Sequence, residues 1–219
     1  MSDYTGRVRV GGPADIRRLP DLEISKVAVG PMDNNAYALR CLRTGEVALI
    51  DAADDAERLL ELVPHGALST VVTTHQHRDH WQALSAVVRA TGAQTVAHPL
   101  DADPLPVRPD RLVVDGDTVA VGDATLSVVH LRGHTPGSIA LSYDDRAGTT
   151  HLFAGDSLFP GGVGNTHGGA DAFVTLIGDV ETKLFNVLPD DTWVYPGHGA
   201  DTTLGAERPA LPRWRTRGW

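Results

Sequence analysis

The segment Thr74-His75-Gln76-His77-Arg78-Asp79-His80 constrains this chain more than any other feature. It places three imidazoles and a carboxylate within six consecutive positions, directly after the apolar run that ends at Thr73. A core cannot absorb so many polar groups, because each one buried needs its own partner. They call instead for a buried strand that delivers them to a turn at its C-terminal end. Imidazole and carboxylate together suit zinc, iron or manganese, and a donor set without thiolate points to catalysis more than to structural zinc. Metal-competent side chains recur downstream in Gly-rich turns: Gly133-His134-Thr135-Pro136-Gly137, Gly155-Asp156-Ser157 and Pro196-Gly197-His198-Gly199. The pattern reads as a two-metal hydrolytic site.

Those four segments, in that order, resemble the metallo-β-lactamase superfamily, most closely its glyoxalase II-like hydrolases. The family pattern is H-x-H-x-D-H, a lone His, a bridging Asp and a final His. It is matched by His75, His77, Asp79, His80, His134, Asp156 and His198, over a stretch from about Asp33 to about His198. The resemblance implies an α+β fold, a four-layer αββα sandwich of two mixed sheets between helices. It also implies two divalent ions per chain, zinc first, with iron or manganese as the other options. In the family arrangement His75, His77 and His134 hold metal one, Asp79, His80 and His198 hold metal two, and Asp156 bridges them. Two ions roughly 3.5–4 Å apart can share a hydroxide whose pKa falls towards about 7. The implied activity is hydrolysis of a thioester by that hydroxide, as in a hydroxyacylglutathione hydrolase, with Asp79 as the catalytic residue orienting it. A thiolate leaves without a dedicated general acid, its free thiol having a pKa of about 8.5.

Three rival readings use the same residues. Persulfide dioxygenases share the motif and hold one iron with residues matching His75, His134 and Asp156. Lactonases and β-lactamases share the fold. A metal-binding structural domain is the rival that is not an enzyme. Glutathione-specific relatives carry a helical region after the last His, which Gly199 to Trp219 is too short to match, and a basic residue where this chain has Asn165. Both differences argue against glutathione as carrier. The run Gly161 to Gly169 follows Asp156 directly, so Asn165 and His167 are the candidate substrate contacts. Asn34-Asn35-Ala36-Tyr37 matches the family's Asn-rich turn before the second strand and is assigned to turn chemistry. His65, His130 and His151 are read as surface or strand residues, and His98, before Pro99, as structural.

With 219 residues the chain suits one domain made of two half-domains, about 1–105 and 106–219. Its net charge of −9 argues against a nucleic-acid surface. No window approaches the roughly 18–20 apolar residues of a membrane span. The first residues lack the pattern of a secretion signal, and Cys41 has no second cysteine to pair with, so the cytoplasm is expected. The expected partner is a small thioester or ester, and the expected state a monomer or homodimer. Periodicity predicts strands at 24–29, 37–42, 47–50, 69–73, 95–97, 111–114, 118–121, 124–131, 138–143, 150–154 and 192–195, with an N-terminal strand within 7–19. Helices are predicted over 53–63, 79–91 and 170–187, the Pro-rich run Pro99 to Pro109 is read as the linker between halves, and Trp214 and Trp219 as packing anchors or a dimer contact.

Overall fold

The fold follows from strands whose two faces both carry apolar side chains, so each sheet must be covered on both sides. A computed structural model describes residues 4–218. The first sheet runs in chain order: β1 Asp15–Arg18, β2 Leu22–Val29, β3 Asn34–Cys41, β4 Val47–Ile50, β5 Leu68–Val72, β6 Gln94–Ala97 and β7 Arg111–Leu112. Its first four strands pair antiparallel and its last four parallel. The second sheet holds β8 Thr118–Val121, β9 Ala124–His130, β10 Ile139–Asp144 and β11 Thr150–Gly155. A small hairpin, β12 Leu158–Phe159 with β13 Gly162–Val163, precedes β14 Trp193–Pro196 and β15 Thr202–Thr203. The spatial order of the second sheet is β15-β14-β11-β10-β9-β8.

Alternation divides the side chains into layers. Leu22 and Ile24 of β2, Tyr37 and Leu39 of β3, and Ile50 of β4 meet Leu126, Ile139, Leu141, Phe153 and Tyr195 in a core between the sheets. Val27, Val29 and Leu49 face the other way, onto α1 Ala56–Glu61 and α2 Leu84–Thr91. Leu152, Ala154 and Val194 face α3 Ala170–Val180, α4 Leu204–Glu207 and α5 Leu211–Arg217. The expected αββα sandwich is what forms. Trp214 of α5 is fully buried in that outer layer, a packing anchor whose loss would cost about 3–5 kcal/mol; Trp219 lies outside the described residues.

Several boundaries differ from expectation for identifiable reasons. The helix predicted from Asp79 begins only at Leu84, because the N–H groups of Gln82 and Ala83 bond to Ala53 and Ala52 instead of to a preceding turn. Arg78–His80 tighten into a 3₁₀ turn instead. The helix predicted from residue 53 starts at Ala56, where the Asp55 side chain accepts the Arg58 N–H. The long helix predicted to 187 loses α-helical form after Val180, in a π-turn spanning Glu181–Phe185. Strand β7 still pairs with β6, so the chain leaves the first sheet after the Pro-rich run and not within it. Among the described residues, no helix is long and apolar enough to cross a membrane.

Candidate metal centre

Seven turns meet at one edge of the sandwich: those after β4, β5, β6, β11 and β14, and the β2–β3 and β9–β10 connections. Each sheet strand supplies rigidity, and each turn supplies polar side chains free of the ladder. Residues 74–80 and 134 arrive from opposite sheets, tied together where the Ile139 N–H donates to the Thr74 carbonyl at 2.9 Å.

The predicted donors converge. His75 Nε2 lies 3.3 Å from His134 Nε2, and His77 Nδ1 lies 2.9 Å from the same atom. On the other side His80 Nε2 lies 3.2 Å from His198 Nε2, and Asp79 Oδ2 lies 3.5 and 3.4 Å from those two nitrogens. Asp156 sits between the clusters, with Oδ2 3.6 Å from His134 Nε2 and 3.5 Å from His198 Nε2, and Oδ1 3.4 Å from His80 Nε2. Donors bound tetrahedrally at about 2.0–2.1 Å from an ion are separated from one another by about 3.3–3.4 Å. The observed separations cluster around that value. His75-His77-His134, His75-His80-Asp156 and Asp79-His80-His198 each form a group able to hold an ion. Asp156 Oδ1 is buried with no hydrogen-bond partner, as expected of an oxygen whose lone pairs are meant for a cation. The donor set therefore fits two divalent ions.

Behind each cluster, hydrogen bonds aim the rings. His80 Nδ1 faces Asp51 Oδ2 at 2.8 Å, His134 Nδ1 faces the Asn165 carbonyl at 2.7 Å, and His198 Nδ1 faces the Met32 carbonyl at 2.9 Å. His75 Nδ1 lies 3.0 Å from Thr74 Oγ1, which itself donates to Asp51. Such partners fix which nitrogen points into the site.

Electrostatics separate the two halves. Burial, with help from the neighbouring imidazoles, holds His75 well below the usual histidine range, and burial likewise lowers His77 and His134. Burial alone would lower His80 too, but the carboxylates of Asp156 and Asp51 outweigh it and raise its pKa to about 10. His198 is raised to about 10 against the same burial penalty by Asp156 and Asp79. The His198 and Asn34 hydrogen bonds hold Asp79 far below the carboxylate range, and His80 and His198 do so for Asp156 in spite of its burial. The His80–His198 side is thus a place where the protein's carboxylates attract positive charge.

Other candidates land elsewhere. Asn165 reaches the site through its main-chain carbonyl, while its side chain accepts the His167 N–H at 2.7 Å. His167 is exposed with φ 52°, its ring perpendicular to that of His77 with centroids 5.5 Å apart. His98 is buried and stacks on His130 at 4.0 Å, His65 lies on an exposed turn, and His151 is fully buried between Asp145 and Tyr195.

Three residues that hold the donors in place have no site role in the sequence reading, which assigns Asn34 to turn chemistry. Asn34 begins β3 instead of forming a turn before it, and its amide bonds to Asp79 Oδ2 at 2.8 Å. Asp51, buried with φ 58°, directly follows β4 and accepts from the Thr74 N–H and hydroxyl and pairs with His80. Asp101, also buried, accepts the N–H groups of Gln76 and Gly137. A carboxylate just beyond a buried strand was the available signal for Asp51, whereas its Gly-Asp-Ser turn and the family pattern identify Asp156.

Comparison with known proteins agrees with this geometry. The family described as the Metallo-beta-lactamase superfamily matches residues 29–198. A hydroxyacylglutathione hydrolase of Polaromonas sp. is 37% identical over 168 residues, covering 75% of this chain and 62% of that protein. The crystal structure of the BLEG-1 B3 metallo-beta-lactamase superposes with a TM-score of 0.75 at 29% identity, covering 87% of this chain and 99% of the other. A di-iron-bound form of TTHA1623 gives a TM-score of 0.68 at 32% identity, covering 84% of this chain and 96% of that one. This chain spans less than two thirds of the Polaromonas relative's length.

Proposed function

The chain belongs to the metallo-beta-lactamase superfamily, and from that premise we propose that it is a binuclear metal-dependent hydrolase of thioesters, of the glyoxalase II type. One observation carries the reading: two donor clusters, His75-His77-His134 and Asp79-His80-His198, meet at the buried carboxylate of Asp156, whose Oδ1 makes no hydrogen bond. The one-metal reading, an iron dioxygenase, shares this motif and uses only His75, His134 and Asp156, so the number of metals bound per chain is what separates the two readings.

Two divalent ions, when bound, supply Lewis acidity for a carbonyl oxygen and lower the pKa of water. The residues do the rest. His75, His77 and His134 would hold metal one, Asp79, His80 and His198 metal two, and Asp156 both. Burial keeps the first three imidazoles neutral and ready to bind. Asp79, kept ionised, would accept a hydrogen bond from the attacking water and so orient it. On the His198 side the Phe159 ring lies 6.4 Å from that imidazole, and Met32, whose carbonyl faces His198 Nδ1, is 60% exposed. That flank suits an acyl chain, while exposed His167 lines the side of His77. Among the described residues, no neutral acid stands beside the two clusters, which favours a leaving group needing no proton, such as a thiolate.

The names borne by relatives support this class. A panel of thioesters, lactones and β-lactams, assayed alongside metal content per chain, tests it. Thioesters turned over fastest with two metals bound is the expected result. Preference for lactams would overturn the substrate class, and one iron per chain with oxygen uptake would overturn hydrolysis.

A further inference from the structure

Asn34 is none of the seven predicted donors, yet its amide touches all three side chains of the second cluster. Its Nδ2 donates to Asp79 Oδ2 at 2.8 Å and lies 3.5 Å from His80 Nε2 and 3.4 Å from His198 Nε2. The residue is 1% exposed, so water does not compete for the contact. Its backbone is committed to the same place. Asn34 forms a β-bridge with His198, and the adjacent Asn35 N–H donates to the Gly197 carbonyl at 2.7 Å. The amide therefore travels with the last histidine and bonds to the aspartate of the first motif.

We infer that Asn34 is a positioning residue for metal two, acting through Asp79; the inference rests on the two-metal reading above. A carboxylate on the end of a freely rotating side chain presents either oxygen in many directions, and a fixed N–H donor selects one. Here the selected oxygen is Oδ2, the atom nearest both His80 and His198. The donor must also be uncharged. Asp51, Asp79 and Asp156 already surround His80, and a cationic donor in this position would repel an incoming ion. A short amide at the start of β3 meets both conditions. It also joins the ends of the motif across the sandwich, because Asn34 belongs to the first sheet and His198 follows the second.

The test uses the full chain and zinc as probe, with both dissociation constants read by chelator competition and the fold checked by circular dichroism. Asn34→Leu keeps a branched side chain and removes the donor, and Asn34→Ala removes both. Each should weaken the second ion by about 10–100-fold and leave the first unchanged. In an Asp79→Ala background, adding Asn34→Leu should change nothing further, since the residue it acts through is gone. With cobalt in place of zinc, the visible spectrum of the second site should change in the single variant and that of the first should not. Unchanged affinity for both ions, or a loss that persists undiminished without Asp79, would overturn the inference. A wild-type chain that takes up one ion only would instead overturn the two-metal reading, and this inference with it.

Discussion

Replacing Lys26 with methionine should destabilise the protein by about 3 kcal/mol, and the reason lies in charge isolation, not lost packing. Lys26 is fully buried on the inner face of β2. Its ammonium donates to the Gly6 carbonyl at 2.9 Å, the Gly199 carbonyl at 2.8 Å and Asp201 Oδ1 at 2.6 Å. Methionine fills most of the volume but leaves the Asp201 carboxylate, whose side chain is 1% exposed, without a counter-ion. Removing one partner of a buried pair costs about 3–5 kcal/mol. The lower end applies because the Tyr4 hydroxyl at 2.6 Å and the Trp193 indole at 2.8 Å still donate to Asp201. Burial also pushes the Asp201 pKa up, so the lone carboxyl can take a proton. Adding Asp201→Asn keeps an acceptor for both donors and removes the charge, so the double variant should recover about half the loss, unlike independent sites whose costs add. Urea unfolding reads this as a midpoint shift of about 1–3 M for the single variant, with urea slopes of about 1–3 kcal/mol/M. An unchanged midpoint for Lys26→Met would refute the reasoning, as would a double variant less stable than Lys26→Met.

Gly197→Ala would drive a Cβ into Asp156 Oδ1 and to 2.8 Å from His80 Cε1, so kcat/KM should fall about 100-fold, the scale of a 1 Å misplacement, with little change in melting temperature. Activity at the wild-type level would show that the cluster has slack the geometry denies. Asp179 receives three hydrogen bonds from Arg132, two residues before His134, and these outweigh burial to hold its carboxyl below the usual range. Its contribution is thus fully present above the unfolded pKa of about 3.9 and is lost as pH falls through the lower folded value. Asp179→Asn should therefore lower the melting temperature by a few degrees near neutral pH, with the difference vanishing in strong acid; a difference that grows on acidification would contradict the sign. His167→Ala should raise KM for thioesters with metal content unchanged, because the ring flanks His77 without joining either cluster. Asn165→Ala should also keep both metals, since the bond to His134 comes from its main chain; loss of metal in either variant would move that residue into the centre.

The sheets were legible because burial on both faces writes itself as apolar runs with opposite alternation, as in Leu22 and Ile24 against Val27 and Val29. What failed was local. A helix beginning at Asp79 satisfies the 3.6 period through Trp81, Leu84 and Val88, yet the Ala52 and Ala53 carbonyls capture the N–H groups that its first turn would need. No periodicity reports a partner 30 residues upstream. The β12–β13 hairpin and the short helices α4 and α5 have too few residues to show any period, and the tertiary contacts of Leu158, Leu204 and Trp214 decide them.

The same asymmetry governs the site. All seven predicted donors come together because each lies in a connection that follows a strand of one sheet or the other. Their supports do not share that property. The His198 turn is gripped from the opposite sheet, by Tyr37 Oη on the Pro196 carbonyl at 2.6 Å, by Asn35 on Pro196 and Gly199 at 2.9 Å, and by Lys26 on Gly199. These residues read in sequence as ordinary members of β2 and β3, and their role exists only once the sheets are stacked. A donor cluster that one turn can nearly assemble, as His75, His77, Asp79 and His80 do, leaves its mark as a motif. A turn held by main-chain carbonyls leaves none, because the groups that accept are the same in every residue. The motif therefore identifies the side chains that would bind metal, and the residues that hold the last of them in register must be read from the fold.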